Sequence, residues 1–207
     1  MITALVRIEG HPFGLIANNP MHLAGAIDAP CADKAARFLQ LCDAFGLPIV
    51  SLCDTPGFMV GPEAEKTSLV RKTSRMFVVS GAMTTPMFTV VLRKGYGLGA
   101  QAMAGGSFHA PFFIVSWPTG EFGGMGLEGA VRLGFRKELE AEPTPDAREA
   151  LFQKKVAESY ARGKAINMAA YLEIDDVIDP ADTRRWILRG LKSAPPSKGS
   201  GRFIDTW

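Results

Sequence analysis

The chain has 207 residues, of which 47% are hydrophobic and 21% charged, the composition of an ordinary globular protein whose core needs no disulfide or metal staples. A formal net charge of +2 is too close to neutral to point to nucleic acid or an anionic membrane as partner. No apolar run reaches transmembrane length and no secretory leader precedes the first strand pattern. Cys31, Cys42 and Cys53 are odd in number and lack metal-ligand spacing, so they read as buried thiols of a reducing, cytoplasmic compartment.

In chain order, residues 4–8 and 13–17 flank Glu9-Gly10-His11-Pro12 and predict a hairpin. Apolar positions at Ala36, Leu39, Leu41 and Ala44/Phe45 predict a helix over 33–45, stopped by Gly46. Residues 48–53 read as a short buried strand, broken by Asp54-Thr55-Pro56-Gly57-Phe58. Leu69, Met76, Phe77, Val79 and Met83 give one helical period over 63–83, ended by Pro86. A strand over 87–92 leads into the glycine turn discussed below, and 112–116 is a further strand closing at Trp117-Pro118-Thr119. Residues 121–132 are glycine-rich and then helical, and Glu142-Pro143-Thr144-Pro145 opens a polar helix over 146–162. Residues 174–179 are strand-like, and Asp182 is placed to cap a last helix over 183–192. The alternation of strands and helices, without repeat or linker, predicts one α/β domain over 1–193 with largely parallel strands. An extended tail follows over 194–207, with Phe203, Ile204 and Trp207 able to dock.

The most informative stretch is 90–106, VVLRKGYGLGAQAMAGG. A β-branched apolar strand runs through Gly95, Gly97 and Gly99 into a helix start at Ala100. Such a junction aims free N–H groups and the positive end of the helix dipole at one spot, and small residues let an oxygen approach. That suits an oxyanion; a tight connection with glycines for packing is the alternative. The break at 55–58 also follows a buried strand. In an open α/β sheet the carboxyl ends of both strands share one side, so both breaks face one cleft. Pro56 has no N–H, which leaves Gly57 or Phe58 as donor from the first break.

Side-chain chemistry is sparse. There is no Gly-x-Ser-x-Gly elbow and no phosphate-binding lysine loop. His11 falls in the presumed turn, His22 in a loop after Asn18-Asn19-Pro20, and His109 two residues from Ser107. Asp175, Asp176 and Asp179 read as a solvated strand edge rather than a metal site, and Arg184, Arg185 and Arg189 as a solvated or interfacial helix face.

Gly95-Tyr96-Gly97-Leu98-Gly99-Ala100 resembles the glycine turn of the crotonase superfamily. More narrowly, an ordered set of blocks is similar to the C-terminal half of the carboxyltransferase (β) subunit of biotin-dependent acyl-CoA carboxylases of the propionyl-CoA type. The blocks are Gly14-Leu15-Ile16-Ala17-Asn18, Lys34-Ala35-Ala36-Arg37-Phe38, Asp54-Thr55-Pro56-Gly57-Phe58, Arg93-Lys94-Gly95-Tyr96-Gly97, Trp117-Pro118-Thr119, Met125-Gly126 with Gly129-Ala130-Val131, and Asp182-Thr183-Arg184-Arg185.

The resemblance implies a crotonase-like α/β fold, a spiral of ββα units. It implies transfer of a carboxyl group from carboxybiotin, borne on a carrier protein, to the α-carbon of an acyl-CoA. In such enzymes biotin itself is the base, in keeping with a chain of three histidines. By carry-over, the amides of Leu98 and Gly99 meet the ureido oxygen of biotin, and the first break faces them with Gly57 or Phe58 as its donor. Tyr96, Gly97, Ala100, Gln101, Met125 and Gly126 surround the cofactor, and no metal is involved.

The implied partners are an N-terminal carboxyltransferase domain or subunit, the biotin carboxyl carrier and biotin carboxylase components, and further copies of the chain. The family's N-terminal half is missing here, the turn reads Gly97-Leu98-Gly99 where propionyl-type enzymes carry Gly-Gly-Ala, and Gln101 replaces the usual Asp. Two other readings stand beside this one: a crotonase-type hydratase or isomerase working through Glu121 or Glu128, and a non-catalytic docking module for the biotin carrier.

Overall fold

The computed structural model describes residues 1–196 together with Gly199, Gly201 and Ile204. Strands β1 (Ile2–Ile8) and β2 (His11–Ala17) form the expected hairpin, with Ile8 opposite His11. Its turn is only Glu9-Gly10, both at positive φ (48° and 85°), the two-residue geometry whose twist matches the strands. His11 and Pro12 therefore belong to β2, and His11 is exposed there rather than in the turn.

Helix α1 (Ala29–Ala44) starts four residues before the periodicity suggested, because Asp28 caps it by accepting from Cys31 N at 2.9 Å, with Pro30 in its first turn. It ends at Gly46 (φ 67°) with Leu47 N donating to Cys42 O and Gly46 N to Asp43 O.

Strand β3 (Ile49–Thr55) follows. The single helix expected over 63–83 is instead α2 (Pro62–Glu65) and α3 (Leu69–Ala82), separated at Ser68, whose φ of 59° cannot continue a helix. Strand β4 (Met87–Tyr96) runs four residues past its predicted end, and helix α4 (Gly97–Met103) begins at once. The extension is held by a partner with no sequence signature: β6 (Glu121–Gly123), parallel to Lys94–Tyr96. Strand β5 (Phe113–Ser116) pairs with the first half of β4.

Three helices, α5 (Leu127–Gly134), α6 (Arg136–Ala141) and α7 (Pro145–Arg162), build a satellite cluster around Val131, Leu139, Phe152 and Val156. Helix α8 (Ala165–Ala170), the short β7 (Asp176–Val177) and α9 (Thr183–Ser193) complete the described chain. Asp182 does not cap α9; it pairs with Arg185 at 2.8 Å, while Asp179 accepts from Ala181 N.

Among the described residues seven strands form one sheet in the order β1-β2-β3-β4-β5-β7, with β6 beside the far half of β4. All pairings but the hairpin are parallel. Alternation along the central strands divides the core. Ile49, Cys53, Met87 and Val91 face α1, α3 and α4; Val50, Phe88 and Val90 face α9. Of the tail, Gly199 lies against the backbone at the end of α1, and Ile204 lines a cleft with Phe38 and Leu41. Phe203 and Trp207 lie outside the described residues.

Cys31, Cys42 and Cys53 are all free and buried. Burial pushes the thiols of Cys42 and Cys53 up to about 12 from 9.0. A folded-state pKa above the unfolded one gives stability that is complete below pH 9 and is lost as pH rises toward 12. Urea midpoints measured across this range should fall for the native chain, and the fall should be shallower in Cys42→Ala/Cys53→Ala.

Candidate active site

Because β3 and β4 are parallel and adjacent, their carboxyl ends emerge on the same side, with Thr55 opposite Gly95. The register shifts between Cys53 and Thr55, where two steps along β3 are matched by four along β4, from Val91 to Gly95. Beyond these ends the backbones converge. A Cβ placed on Gly99 would lie 2.6 Å from the carbonyl carbon of Gly57 and 3.0 Å from Phe58 N. On the other flank, a Cβ on Gly97 (φ 58°) would lie 2.7 Å from the Gly124 carbonyl oxygen. Main chain from β3, β4 and β6 thus meets at the first turn of α4, where only glycine permits the approach.

The amides here are not equivalent. Gly57 N is engaged, donating to Thr55 Oγ1 at 3.1 Å. A bridge from Ile27 takes the neighbours, with Ile27 N donating to Gly57 O (3.0 Å) and Met59 N to Ile27 O (2.9 Å). Phe58 N lies between and has no acceptor among the described residues, so it rather than Gly57 is the donor offered by the first break. Leu98 N and Gly99 N sit in the first turn of α4, where a helix has no acceptor for its own N–H groups. The Leu98 side chain is 60% exposed, so this turn opens to the surface.

Of the other residues expected around the site, Met125 is exposed and Gly126 immediately precedes α5. Gln101 is half-buried on α4. Ala100 is wholly buried and Tyr96 nearly so; neither presents surface to a ligand, and both stand behind the turn as packing.

An electrostatic knot beneath the turn escaped the sequence reading. The buried Asp54 carboxylate accepts from Lys94 N (3.2 Å), Arg93 Nε (3.3 Å) and Arg93 Nη2 (3.1 Å), with Lys94 Nζ at 3.9 Å. The pairing holds the Arg93 guanidinium above its usual range. Asp54 N donates to Asn18 Oδ1, Asn18 Nδ2 to Gly25 O, and Lys94 Nζ to Ala24 O, which binds the 18–28 loop over the strand ends. The available signal was an acid at the end of one strand and two bases at the end of its neighbour.

Other side chains are otherwise occupied. Glu121 accepts from the Tyr96 hydroxyl (3.1 Å) and Glu128 from the Tyr160 hydroxyl (2.9 Å). Burial, reinforced by Glu121, pushes the Tyr96 phenol above its usual range. Ser107 and His109 are exposed and joined only through His109 N to Ser107 Oγ, which is not a nucleophile–base pair. Asp175, Asp176 and Asp179 each accept from a backbone N–H, at Ile114, Val177 and Ala181.

The chain matches the carboxyl transferase domain over residues 1–196 and belongs to that family. It is 37% identical over 205 residues to the biotin-dependent acetyl-/propionyl-coenzyme A carboxylase beta6 subunit of Mycobacterium tuberculosis, covering 99% of this chain and 43% of that one. Among solved structures it is similar to a single-chain, multi-domain long-chain acyl-CoA carboxylase (TM-score 0.81, 60% identity, 90% of this chain and 18% of that one). It is also similar to the transcarboxylase 12S subunit, solved as a hexamer with methylmalonyl-CoA (TM-score 0.83, 37% identity, 98% of this chain and 40% of that one). The fold is the crotonase-like one of these carboxyltransferases. The chain spans about two fifths of the length of the curated relatives it matches. Among the described residues no helix is long and apolar enough to cross a membrane.

Asp54→Ala leaves the Lys94 N–H without its carboxylate in a partly buried setting, while Arg93, 53% exposed, contributes little. The expected loss is about 2 kcal/mol in urea unfolding. Amide hydrogen exchange should quicken across the 18–28 loop.

Proposed function

We propose that this chain is the C-terminal half of a biotin-dependent acyl-CoA carboxyltransferase, and that the N–H groups of Leu98, Gly99 and Phe58 hold the ureido oxygen of biotin. The observation that carries this reading is the contact of Gly99 with Gly57 and Phe58, which sets unengaged amides from two loops beside one another. When bound, biotin supplies a carboxylated ring nitrogen whose transfer of the carboxyl group places negative charge on that oxygen.

The chain's part is electrostatic. Donors already fixed in the backbone need no reorganisation as charge develops, and each contributes roughly 3–4 kcal/mol to lowering the barrier. The first turn of α4 adds the positive end of its dipole. Arg93 and Lys94 are held down by Asp54, so the oxygen meets main chain rather than a flexible cation.

The acyl-CoA and the other half of the site are assigned to the family's N-terminal domain, supplied by a partner or another copy. Three facts support this: the two-fifths span, the relatives' names, and the exposed Val60, Leu98 and Met125 close in sequence to the converging turns. A biotin carrier protein and a homo-oligomeric assembly complete the proposal, and the hexamer of the similar transcarboxylase supports the latter. The family match favours this reading over a hydratase built on Glu121 or Glu128.

The test is complementation. The chain alone should carboxylate nothing, whereas the chain assembled with the N-terminal half of a long-chain acyl-CoA carboxylase should transfer the carboxyl group to an acyl-CoA. Gly99→Val, which wedges the two loops apart, should lower kcat by roughly 10²–10³ in an assembly that still forms. An unchanged kcat would remove these amides from the mechanism; turnover by the isolated chain would overturn the half-site reading.

A further inference from the structure

We propose that His22, Asp28 and Cys31 bind a divalent transition metal of the zinc type, at the start of α1 and apart from the backbone-lined turn. An imidazole nitrogen, a carboxylate oxygen and a thiol sulfur lie within 4.8 Å of one another there. The His22 Nε2 to Asp28 Oδ2 distance is 3.4 Å. Ligands about 2.0–2.3 Å from a tetrahedral zinc stand roughly 3.3–3.7 Å apart, so this pair is already at ligand spacing. Since all three ligand atoms lie within 4.8 Å of one another, tetrahedral spacing is reached by shifts of about 1 Å, and the His22 side chain is 54% exposed.

The other two donors are pre-positioned by the fold. Asp28 Oδ1 is occupied as the cap of α1, accepting from Cys31 N at 2.9 Å, which leaves Oδ2 turned toward His22. The same bond fixes Cys31, whose sulfur already acts as an acceptor, 3.2 Å from Met1 N. A donor set of N, O and S suits a borderline cation; magnesium and calcium prefer oxygen alone. Binding releases the thiol proton of Cys31 to solvent and makes the metal–sulfur bond to the thiolate, and three protein ligands leave a fourth position for water. The cysteines lack metal spacing among themselves; the spacing that matters is His-x5-Asp-x2-Cys, one cysteine with two other ligand types. The consequence is local. The loop so clamped carries Ile27, which flanks Phe58, and Gly25, where a Cβ would come within 2.3 Å of Asp54 O.

The experiment is a cobalt titration of the reduced, chelator-treated chain, read by absorption. One equivalent should produce the bands of a tetrahedral site together with thiolate-to-cobalt charge transfer, both displaced by zinc. Cys31→Ser should abolish the charge transfer, and His22→Ala should weaken binding roughly tenfold or more with an unchanged circular dichroism spectrum. Zinc should raise the Tm of the native chain and not that of His22→Ala, a readout that stands even where Cys31→Ser misfolds. Absence of charge transfer at one equivalent, its persistence in Cys31→Ser, or cobalt affinity unchanged in His22→Ala would each overturn the site.

Discussion

The arrangement turns on how closely two strand-ending loops approach. Gly99 rests on the peptide joining Gly57 and Phe58 with no room for a methyl group, and Gly97 rests on Gly124 in the same way. Parallel pairing of β3 with β4 and of β4 with β6 brings these segments to one side of the sheet. Removing side chains from the contact leaves amides as the chemistry on offer, in fixed positions. A site of this kind is poor in titratable groups and rich in oriented dipoles, which suits a reaction whose proton is handled by something other than the protein.

Charge around the site is organised to stay out of it. Asp54 engages both Arg93 and Lys94 and, through Asn18, Gly25 and Ala24, also anchors the loop that covers the strand ends. One buried carboxylate therefore both neutralises the nearby cations and fixes the loop that flanks Phe58. The proposed metal ligands lie on the same loop and on the first turn of α1, so clamping them would act on the element that Asp54 already restrains.

Val60, Leu98 and Met125, close in sequence to the converging turns, are all exposed. The family's members are more than twice as long as this chain. A site made of donors on one side and open on the other is in keeping with half of a composite centre.

Local chemistry was legible wherever it is local. The glycine stop at Gly46, the proline stop at Pro86 and the buried thiols follow from φ restrictions and apolar periodicity, and the ordered blocks carried the family, whereas α4 starts at Gly97, three residues before the expected helix start at Ala100. Pairing partners were not legible. Strand β4 reaches Tyr96 with β6 on one side and Thr55 of β3 on the other, and three residues of β6 show no period of their own. Ser68 splits a continuous helical pattern through a backbone angle that the pattern does not encode. Choosing Phe58 over Gly57 as donor required seeing Thr55 Oγ1 bond back to Gly57 N. The amino-acid sequence by itself determined the fold class and which turns are free of side chains, because glycine and proline act on their own residues. Only the tertiary structure decided which amides remain unengaged and which distant side chains meet, because hydrogen-bond partners are set by what the sheet brings together.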